Sequence, residues 1–395
     1  MGNVIYLDHA GTTGVSEEVL KLMLPYFSEK FGNASSVHTV GQEAKFALDN
    51  AREMVASCLN SRVGDVIFTS GGTESDNAAL IGAAMALKET GNHIITSAVE
   101  HHAVLHACQY LENMGFQITY LPVDDAGKID LSQLSKAITG QTVLVSLMYA
   151  NNEIGTINPI AEISELVKKR ASEFQRTIVM HCDAVQAAGF LTLDTKALGV
   201  DMLSLSGHKF YGPKGTGILY LRRGTPFLPI LFGGSQERER RPGTENVAGA
   251  VGLSEALNIA DSSRVQTSNH CMLLRNTLIK EITEKIPGSV LNGSLENRLA
   301  NNVNFSFEGV QGESILLGLD MAEISASSGS ACSSGSLEPS HVLLALGQSS
   351  ELARGSLRMT LGKFNTESDI EYVLEVLPKL VQELRGLPTL SSSGI

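Results

Sequence analysis

Short apolar strands that alternate with helices are the feature of this sequence that most constrains its fold. From residue 65 onward, apolar runs predict strands at 66–69, 93–96, 118–122, 142–148, 177–181, 201–205 and 217–221. Helical periodicity predicts helices between them, at 74–87, 102–114, 131–138 and 160–172. Such alternation implies right-handed crossovers and a largely parallel sheet covered on both faces, so we expect an α/β fold.

The pattern is less regular toward both ends of the chain. Near the start, helices are predicted at 17–27 and 41–59. Past residue 255, a single long helix is predicted from Glu255 to about Ile286. It is followed by predicted strands and helices at 289–291, 302–306, 313–319, 339–346, 356–361 and 367–385. We therefore expect a large domain over residues 15–255 and a smaller α+β domain formed by residues 1–14 and 256–395.

The composition and charge of the chain limit the kinds of binding partner that we expect. The 395 residues are 43% hydrophobic and 18% charged, which supports two domains with sizeable cores. The net charge is −12 and the basic residues are scattered, so we expect no nucleic-acid partner. The densest basic cluster, Arg238, Arg240 and Arg241, alternates with Glu237 and Glu239. This run predicts a local ion-pair network or an interface rather than a track for phosphates.

The five cysteines indicate a reducing compartment. They are odd in number and include no C-x-x-C pair, so they predict neither a disulfide framework nor a zinc site. The N-terminus lacks a basic region followed by a long apolar core, and no apolar run approaches membrane-spanning length. We expect a cytoplasmic protein with no membrane partner, or an organellar matrix protein if a transit peptide has been removed.

A glycine-rich turn follows the first strand of the alternation. Ligands of parallel sheets bind at the carboxyl ends of the strands, and Gly71, Gly72 and Thr73 stand at such an end, directly before a helix. The free N–H groups and the dipole of a helix N-terminus favour phosphate. The pattern predicts a phosphate cradle, with a plain helix cap as the alternative.

Lys209 lies in a Ser-Gly-His-Lys run directly after another predicted strand. A lysine amine at a strand end forms a Schiff base with a carbonyl once burial or a cationic neighbour lowers its pKa. We interpret Lys209 as the residue that binds pyridoxal phosphate, with an ordinary surface lysine on a turn as the alternative. Ser206 and His208 of the same run, with Gly72 and Thr73, supply donors for the phosphate.

Three further residues at strand ends complete the predicted cofactor site. Asp183 would keep the pyridine nitrogen protonated, so that the ring accepts electrons from a carbanion. Gln186 could reach the ring oxygen, and His101 could stack on the ring and relay protons. An Asp in a turn and a histidine at a helix start are the structural alternatives. Because capable residues follow so many strands, we favour the cofactor site.

No metal site is predicted. His102 and His106 have the i, i+4 spacing of metal ligands on a helix, but no third ligand is near them in sequence. Short metal-ligand patterns without such context are unreliable.

A cysteine in a Ser/Gly-rich stretch forms the second predicted centre. Cys332 stands amid small residues at 325–336, which predicts an exposed and movable thiol that could reach a substrate and then an acceptor. A linker that happens to contain a cysteine is the alternative. Arg358 is a lone cation in an apolar strand pattern, suited to a bidentate contact with a substrate carboxylate. A structural ion pair is the alternative for Arg358.

Motifs along nearly the whole chain match a known family. In chain order they are Tyr6-Leu7-Asp8, Phe68 to Ser75, Glu100-His101, Asn151 to Gly155, Asp183 to Gln186, Ser206 to Gly215, Arg241 to Asn246, Ser327 to Ser340, and Arg358. Together they resemble the cysteine desulfurases of the iron–sulfur-cluster and nitrogen-fixation type, in the class V aminotransferase family.

The resemblance implies a fold-type I pyridoxal-phosphate enzyme that forms a homodimer, with active sites that borrow residues across the interface. It implies that Thr244 reaches the phosphate of the cofactor in the partner subunit. It also implies that Asn152 and Arg358, with Asn33, hold the substrate carboxylate, and that Asn152 contributes to the cofactor site.

The reaction implied by the resemblance converts L-cysteine to L-alanine. Lys209 removes the α-proton, His101 assists the proton transfers, and the Cys332 thiolate attacks the substrate sulfur to leave a persulfide on Cys332. The sulfur would then pass to an acceptor such as an iron–sulfur scaffold protein. Cys332 could also transiently ligate an iron–sulfur cluster. The long Ser/Gly loop resembles the branch of the family with a mobile cysteine.

Other functions stay open at this point. A selenocysteine lyase would share the lysine chemistry but need not use Cys332 for its selenium substrate. An aminotransferase would return an amino group to a keto acid, and another class V pyridoxal-phosphate enzyme is a further alternative. A cofactor-binding scaffold would only dock assembly partners.

Overall fold

The computed structural model describes residues 4–329 and 338–386. Within these ranges the strands form one seven-stranded sheet, one three-stranded sheet and one two-stranded pair. The prediction for Cys332 falls in 330–337 and lies outside the described residues.

The chain begins with one short strand and three helices that precede the alternating region. They are β1 (Ile5–Tyr6), α1 (Glu17–Met23), α2 (Pro25–Ser28) and α3 (Thr39–Cys58). The helix predicted at 17–27 is divided, because Pro25 has no backbone N–H to continue α1 and starts α2 instead.

The alternation predicted from residue 65 onward is confirmed, with boundaries that differ by at most two residues. The elements are β2 (Val66–Thr69), α4 (Gly72–Leu87), β3 (His93–Ser97), α5 (His102–Asn113), β4 (Gln117–Leu121), α6 (Leu131–Ala137), β5 (Thr142–Ser146), α7 (Ile160–Phe174), β6 (Val179–Asp183), α8 (Thr195–Leu198), β7 (Met202–Ser206) and β8 (Gly217–Leu221).

These strands form the main sheet in the order β2-β8-β7-β6-β5-β3-β4. Every neighbouring pair is parallel except the two that involve β8, which runs antiparallel to both β2 and β7. Residues 207–216 join β7 to β8, and this connection is too short for the crossover that a parallel pair requires. The largely parallel α/β sheet is therefore as predicted, with one reversed strand.

The main sheet is covered on both faces. All residues of β5, β6, β7 and β8 are buried. Along β8, Ile218 and Tyr220 pack into one core cluster, and Leu219 and Leu221 pack into another. Because successive side chains of a strand point to opposite faces, the two clusters lie on opposite sides of the sheet. This arrangement leaves the strand ends as the places where a ligand can reach the sheet.

The C-terminal third forms the smaller sheet and its covering helices. Helix α9 (Val247–Ser262) precedes it and packs into the core cluster of the main sheet through Leu253 and Leu257. The elements that follow are α10 (Arg264–Lys285), β9 (Ser289–Leu291), β10 (Asn302–Phe307), α11 (Gly312–Met321), β11 (Ile324–Ser325), α12 (His341–Ala345), α13 (Ser350–Arg354), β12 (Ser356–Thr360) and α14 (Glu367–Gly386). Strands β12, β10 and β9 form an antiparallel sheet in that order. In the described ranges, no helix is both long and apolar enough to cross a bilayer.

The single helix predicted from Glu255 to Ile286 is wrong. The structure has two helices that meet at Ser263. The hydroxyl groups of Ser262 and Ser263 both donate hydrogen bonds to the carbonyl oxygen of Ile259. Side chains that bond to the backbone in this way compete with the helical hydrogen bonds, which explains the break.

The start of the chain packs into the C-terminal third. Strand β1 pairs with β11, and Leu7 lies in the core cluster that contains Phe305 and Leu357. The backbone N–H of Thr360 donates to the carbonyl of Leu7 at 2.7 Å. Residues directly after Leu7 are thereby fixed beside the end of the main sheet.

A buried ion pair ties α3 to the segment between β8 and α9. Both Nη atoms of Arg52 donate to the carboxylate of Glu237 at 2.6 Å, and the two side chains are only 8% and 4% exposed. The guanidinium also lies 4.9 Å from the ring centroid of Phe68. A buried carboxylate depends on such a partner because it has lost its water.

We expect Arg52→Met to lower the free energy of unfolding by about 3 to 5 kcal/mol, because it leaves Glu237 buried without its partner. Urea denaturation of the two proteins measures this difference. The matched control is Lys45→Met, which breaks an exposed pair with Asp49 and should change the stability little. Equal effects of the two substitutions would contradict the assignment of Glu237 as a dependent buried charge.

Candidate active site

A cavity of about 520 Å³ opens at the carboxyl ends of the main-sheet strands. Ten of the predicted site residues line it: Gly72, Thr73, His101, Asn152, Asp183, Gln186, Ser206, His208, Lys209 and Arg358. Asn33 and Thr244 are exposed and are not part of this lining. The structure thus brings together residues that the sequence predicted separately from five strand ends and the C-terminal third.

Lys209 follows β7 in a single 3-10 turn. Its Nζ donates to the carbonyl oxygens of Ala10 at 2.6 Å and Gly11 at 2.7 Å. The Nε2 of Gln186 donates to the same carbonyl of Ala10 at 3.1 Å. The loop after β1 therefore holds the lysine amine and the glutamine amide side by side at the cavity.

Asp183 is the last residue of β6 and is buried. Its carboxylate accepts a hydrogen bond from the backbone N–H of Val185 at 2.9 Å. Burial raises the pKa of Asp183 to about 6, against the lowering effects of the Val185 hydrogen bond and of Lys209. A cationic group bound in the cavity would give this carboxylate the charged partner that favours its ionised form.

Two further buried carboxyl groups lie close to Asp183, and neither was predicted from the sequence as a site residue. Burial raises the pKa of Glu100 to about 8, and the charge of Asp183 adds to this shift. Burial and Asp183 likewise raise the pKa of Asp76. Like charges in one buried region disfavour each other's ionisation, and with a pKa of about 6 against about 8, Asp183 ionises before Glu100 as the pH rises.

His101 is the N-cap residue of α5. Its Nδ1 accepts the backbone N–H of Ala103 at 3.1 Å, which leaves the ring proton of the neutral imidazole on Nε2. Burial, and then the nearby charge of Lys209, lowers the pKa of His101 to about 4. The imidazole is therefore neutral at pH 7, and its Nε2–H is a donor.

The turn between β2 and α4 has a backbone that suits the binding of an anion. Gly71 has φ 155° and ψ −179°, a conformation that is essentially restricted to glycine. A Cβ on Gly72 would lie 2.8 Å from Cγ2 of Val185, so a larger residue there would have to displace Val185. The N-terminus of α4 contributes its unpaired N–H groups to the cavity, and Ser206 and His208 face the same space.

Arg358 lies on β12 and is only 3% exposed. One Nη donates to Asp8 Oδ1 at 2.7 Å, and the other donates to the carbonyl oxygen of Asn152 at 3.0 Å. Its Nε is buried and has no hydrogen-bond partner among the described residues. Arg358 is a site residue predicted from the sequence, whereas its pairing with Asp8 was not predicted, because a partner some 350 positions away has no local signal.

The structure adds a third imidazole to the two histidines on α5. The ring centroid of His102 lies 5.0 Å from that of His106 and 4.8 Å from that of His341. Even so, no group of three or more His, Cys, Asp or Glu in residues 4–329 and 338–386 has the geometry to hold a metal ion.

The residues of the cavity fit pyridoxal phosphate. The cofactor needs an amine, a carboxylate for its ring nitrogen and a cradle for its phosphate. Lys209, Asp183 and the glycine turn supply these groups, and Arg358, which also lines the cavity, supplies a cation for a substrate carboxylate.

Comparisons with known proteins support this interpretation. The family model described as Aminotransferase class-V matches residues 5–373. The cysteine desulfurase IscS of Dictyoglomus turgidum is 50% identical, over 98% of this chain and 97% of that protein. The cysteine desulfurase IscS of Methanosarcina thermophila is 51% identical, over 98% of this chain and 94% of that protein.

Solved structures agree with the sequence comparisons. A structure described as a NifS-like protein superposes with a TM-score of 0.90 at 37% identity and covers 96% of this chain and 100% of that chain. A structure described as SspA in complex with cysteine superposes with a TM-score of 0.78 at 35% identity and covers 92% of this chain and 100% of that chain.

We expect Asp183→Asn to stabilise the cofactor-free protein at pH 8 and to have no such effect at pH 4. The folded-state pKa of Asp183 is raised from 3.8 to about 6, so the wild-type protein loses stability as the pH rises through this window. The gain above pH 6 should be on the order of 2 to 3 kcal/mol. Melting temperatures at the two pH values measure it.

Asp125→Asn is the matched control, because Asp125 is exposed and its replacement should change neither melting temperature. If cofactor-free Asp183→Asn melted at the wild-type temperature at pH 8, ionisation of Asp183 would not be unfavourable in the folded protein.

Proposed function

We propose how the residues of this chain, a pyridoxal-phosphate-dependent cysteine desulfurase that belongs to the aminotransferase class-V family, carry out the desulfuration of L-cysteine. The observation that supports the proposal most is that Lys209, Asp183, His101 and Arg358 all line one cavity. These four supply a nucleophilic amine, a buried anion, a neutral imidazole and a buried cation.

The cofactor would be held at four points. Lys209 would hold its aldehyde carbon, Asp183 its ring nitrogen and Gln186 its ring oxygen. The phosphate would be held by Gly72, Thr73, Ser206 and His208. When bound, pyridoxal phosphate supplies an electron sink for the carbanion that forms at the substrate α-carbon.

The substrate carboxylate would bind at Arg358. The Nη of Arg358 that is bonded to Asp8 carries a second N–H, and this N–H is the donor that remains for the substrate. The Asn152 side chain would add a second donor at the cofactor and the carboxylate. Asp8 holds the guanidinium plane in place, and a fixed arginine binds a carboxylate with a smaller loss of side-chain entropy.

Lys209 and His101 would move the protons. Lys209, once released from the cofactor, would take the α-proton of L-cysteine at Nζ. His101 is neutral at pH 7 and donates through Nε2. It would therefore stabilise a developing negative charge or return a proton, while the positive charge stays on the Lys209 amine.

Cys332 would receive the sulfur. Its thiolate would attack the substrate sulfur, the carbon–sulfur bond would break, and the new sulfur–sulfur bond would leave a persulfide on Cys332. The substrate carbon would gain a proton and leave as L-alanine, so L-cysteine and one protein thiol give L-alanine and one protein persulfide. The four cysteines of the described residues are buried or half-buried, which favours Cys332 as the reactive thiol.

Two copies of the chain would form the active enzyme. Large apolar side chains are exposed along α1 to α3, among them Phe27, Phe31, Val37 and Phe46. Such a patch is typical of an interface. Thr244 and Asn33 are exposed and lie outside the cavity of their own subunit, so Thr244 would reach the phosphate, and Asn33 the substrate carboxylate, in the other subunit.

The persulfide requires an acceptor before the next turnover. An iron–sulfur scaffold protein is the proposed partner, and Cys332 would transiently contact the cluster being built. Mass spectrometry of such a scaffold after incubation with the enzyme and L-cysteine tests this step. The cytoplasm is the proposed location, because the cysteines of the described residues are all unpaired, as a reducing compartment requires.

We expect the wild-type enzyme, without an acceptor, to form L-alanine and a Cys332 persulfide in equal amounts from L-cysteine. Cys332→Ala should abolish both products. Lys209→Ala should prevent borohydride from attaching the cofactor to the chain, because no amine remains to be reduced with it. Amino-acid analysis and mass spectrometry of the intact protein measure these outcomes.

Cys58→Ala is the matched control, because burial raises the pKa of this thiol to about 11 and makes it a poor nucleophile. Alanine formation by Cys332→Ala at the wild-type rate would refute the role of Cys332 and favour a selenocysteine-lyase type of mechanism. Borohydride attachment in Lys209→Ala would refute the lysine assignment.

We expect activity to return when Lys209→Ala and Thr244→Ala subunits are mixed and allowed to exchange. In a mixed dimer one site carries both substitutions and the other carries neither, so random exchange should give about a quarter of the wild-type rate. The rate of alanine formation before and after exchange measures the recovery. No recovery, with exchange verified by native mass spectrometry, would show that Thr244 does not serve the opposite subunit.

A further inference from the structure

The run of arginines and glutamates that follows β8 has an unusual backbone. We define residues 236–244 as the phosphate arm, because they end at Thr244. Within it, Glu237, Arg238 and Glu239 are consecutive and have φ values of 46°, 58° and 65°. Left-handed residues other than glycine are unfavourable and persist only where surrounding contacts fix them. The arm must therefore be fixed by the rest of the protein.

Three contacts fix the phosphate arm to the body of the subunit. The buried pair of Arg52 with Glu237 is the strongest of these. The guanidinium groups of Arg238 and Arg240 both donate to the carbonyl oxygen of Gly64 at 3.1 Å. These contacts place Arg241, the next residue, beside the N-terminal turn of α4.

Arg241 binds Glu74, which lies on the first turn of α4. The Nε of Arg241 donates to Glu74 Oε1 at 2.8 Å, and one Nη donates to Oε2 at 3.3 Å. Glu74 Oε2 also accepts the backbone N–H of Ser70 at 2.8 Å, in the turn that forms the cradle. Glu74 lines the large cavity together with Gly72 and Thr73, whereas Arg241 is outside that lining.

Glu74 presents an electrostatic problem for the cradle. Its carboxylate stands at the same helix N-terminus that would bind the phosphate, and two anions at one helix end repel each other. Burial alone would raise the pKa of Glu74, but the hydrogen bonds from Arg241 and Ser70 bring that pKa below its ordinary value. The carboxylate is thus ionised, and its charge must be balanced.

We propose that Arg241 is a positioning residue that balances the charge of Glu74, so that the N-terminus of α4 accepts a phosphate while Glu74 holds the turn. Arg241 then affects phosphate binding without touching the phosphate, because it holds Glu74 in place and balances the negative charge of Glu74. The strained phosphate arm holds the guanidinium of Arg241 beside Glu74. The inference rests on the proposed function, because it assumes that pyridoxal phosphate binds in this cavity.

The test measures the affinity of the full-length, cofactor-free protein for pyridoxal phosphate by absorbance titration. Arg241→Met should weaken binding by tenfold or more, because it leaves the Glu74 charge uncompensated beside the phosphate. Arg241→Met combined with Glu74→Gln should recover most of this loss. Glu74→Gln alone should bind pyridoxal phosphate within about threefold of the wild type, the usual effect of one weak contact.

A second ligand separates charge from structure. Pyridoxal, which lacks the phosphate, should bind to Arg241→Met and to the wild type with equal affinity. Lys379→Met, which breaks an exposed pair with Glu375 on α14, is the control and should bind both ligands as the wild type does.

Three outcomes would overturn the inference. A double variant that binds as weakly as Arg241→Met would show that Arg241 acts only through structure. Equal losses for pyridoxal and pyridoxal phosphate would show the same, and so would a tenfold loss in Glu74→Gln alone. Failure of the wild-type protein to bind pyridoxal phosphate at all would instead refute the proposed function, and this result is distinguishable from the other three.

Discussion

Burial of the seven-stranded sheet is the constraint on which the rest of the structure depends. The strands at its centre are buried at every position, so their backbone groups must pair with each other and their faces must be covered. Only the strand ends remain accessible. Six of the seven strands run in the same direction and end at the same edge, where Asp183, Lys209 and His101 enter one cavity. Chemistry is concentrated there because the topology leaves no other place for it.

The electrostatics of the cavity favour function over the stability of the empty protein. Burial raises the pKa values of Asp183, Glu100 and Asp76, so an ionised Asp183 lowers the stability of the protein when no cation is bound beside it. A similar arrangement occurs at the other end of the cavity, where Glu74 is held beside an anion cradle by Arg241. In both places an unfavourable charge is retained because a bound ligand or a neighbouring side chain balances it.

The sequence predicted the alternating region well because strand and helix periods are local properties, and the ligand edge followed from the topology rule. It failed where the deciding contact does not change the apolar pattern. The break at Ser263 depends on local hydroxyl bonds to Ile259, and apolar periodicity does not register such bonds. The carbonyl oxygens of Ala10 and Gly11 that hold Lys209 are backbone groups nearly 200 positions away and have no side-chain pattern. The domain boundaries at 15 and 255 and the role of each site residue stay predictions.

The contact between the two ends of the chain has a consequence for biosynthesis. Leu7 is anchored by Thr360, and Asp8 pairs with Arg358, so the loop that positions Lys209 cannot be fixed until about residue 360 has left the ribosome. Contacts of such long sequence separation form late. The nascent chain would therefore assemble its central sheet first and acquire a competent cofactor pocket only at the end of translation. A chain truncated before about residue 360 would contain Lys209 but would lack the fixed Ala10 and Gly11 carbonyl groups that position its amine.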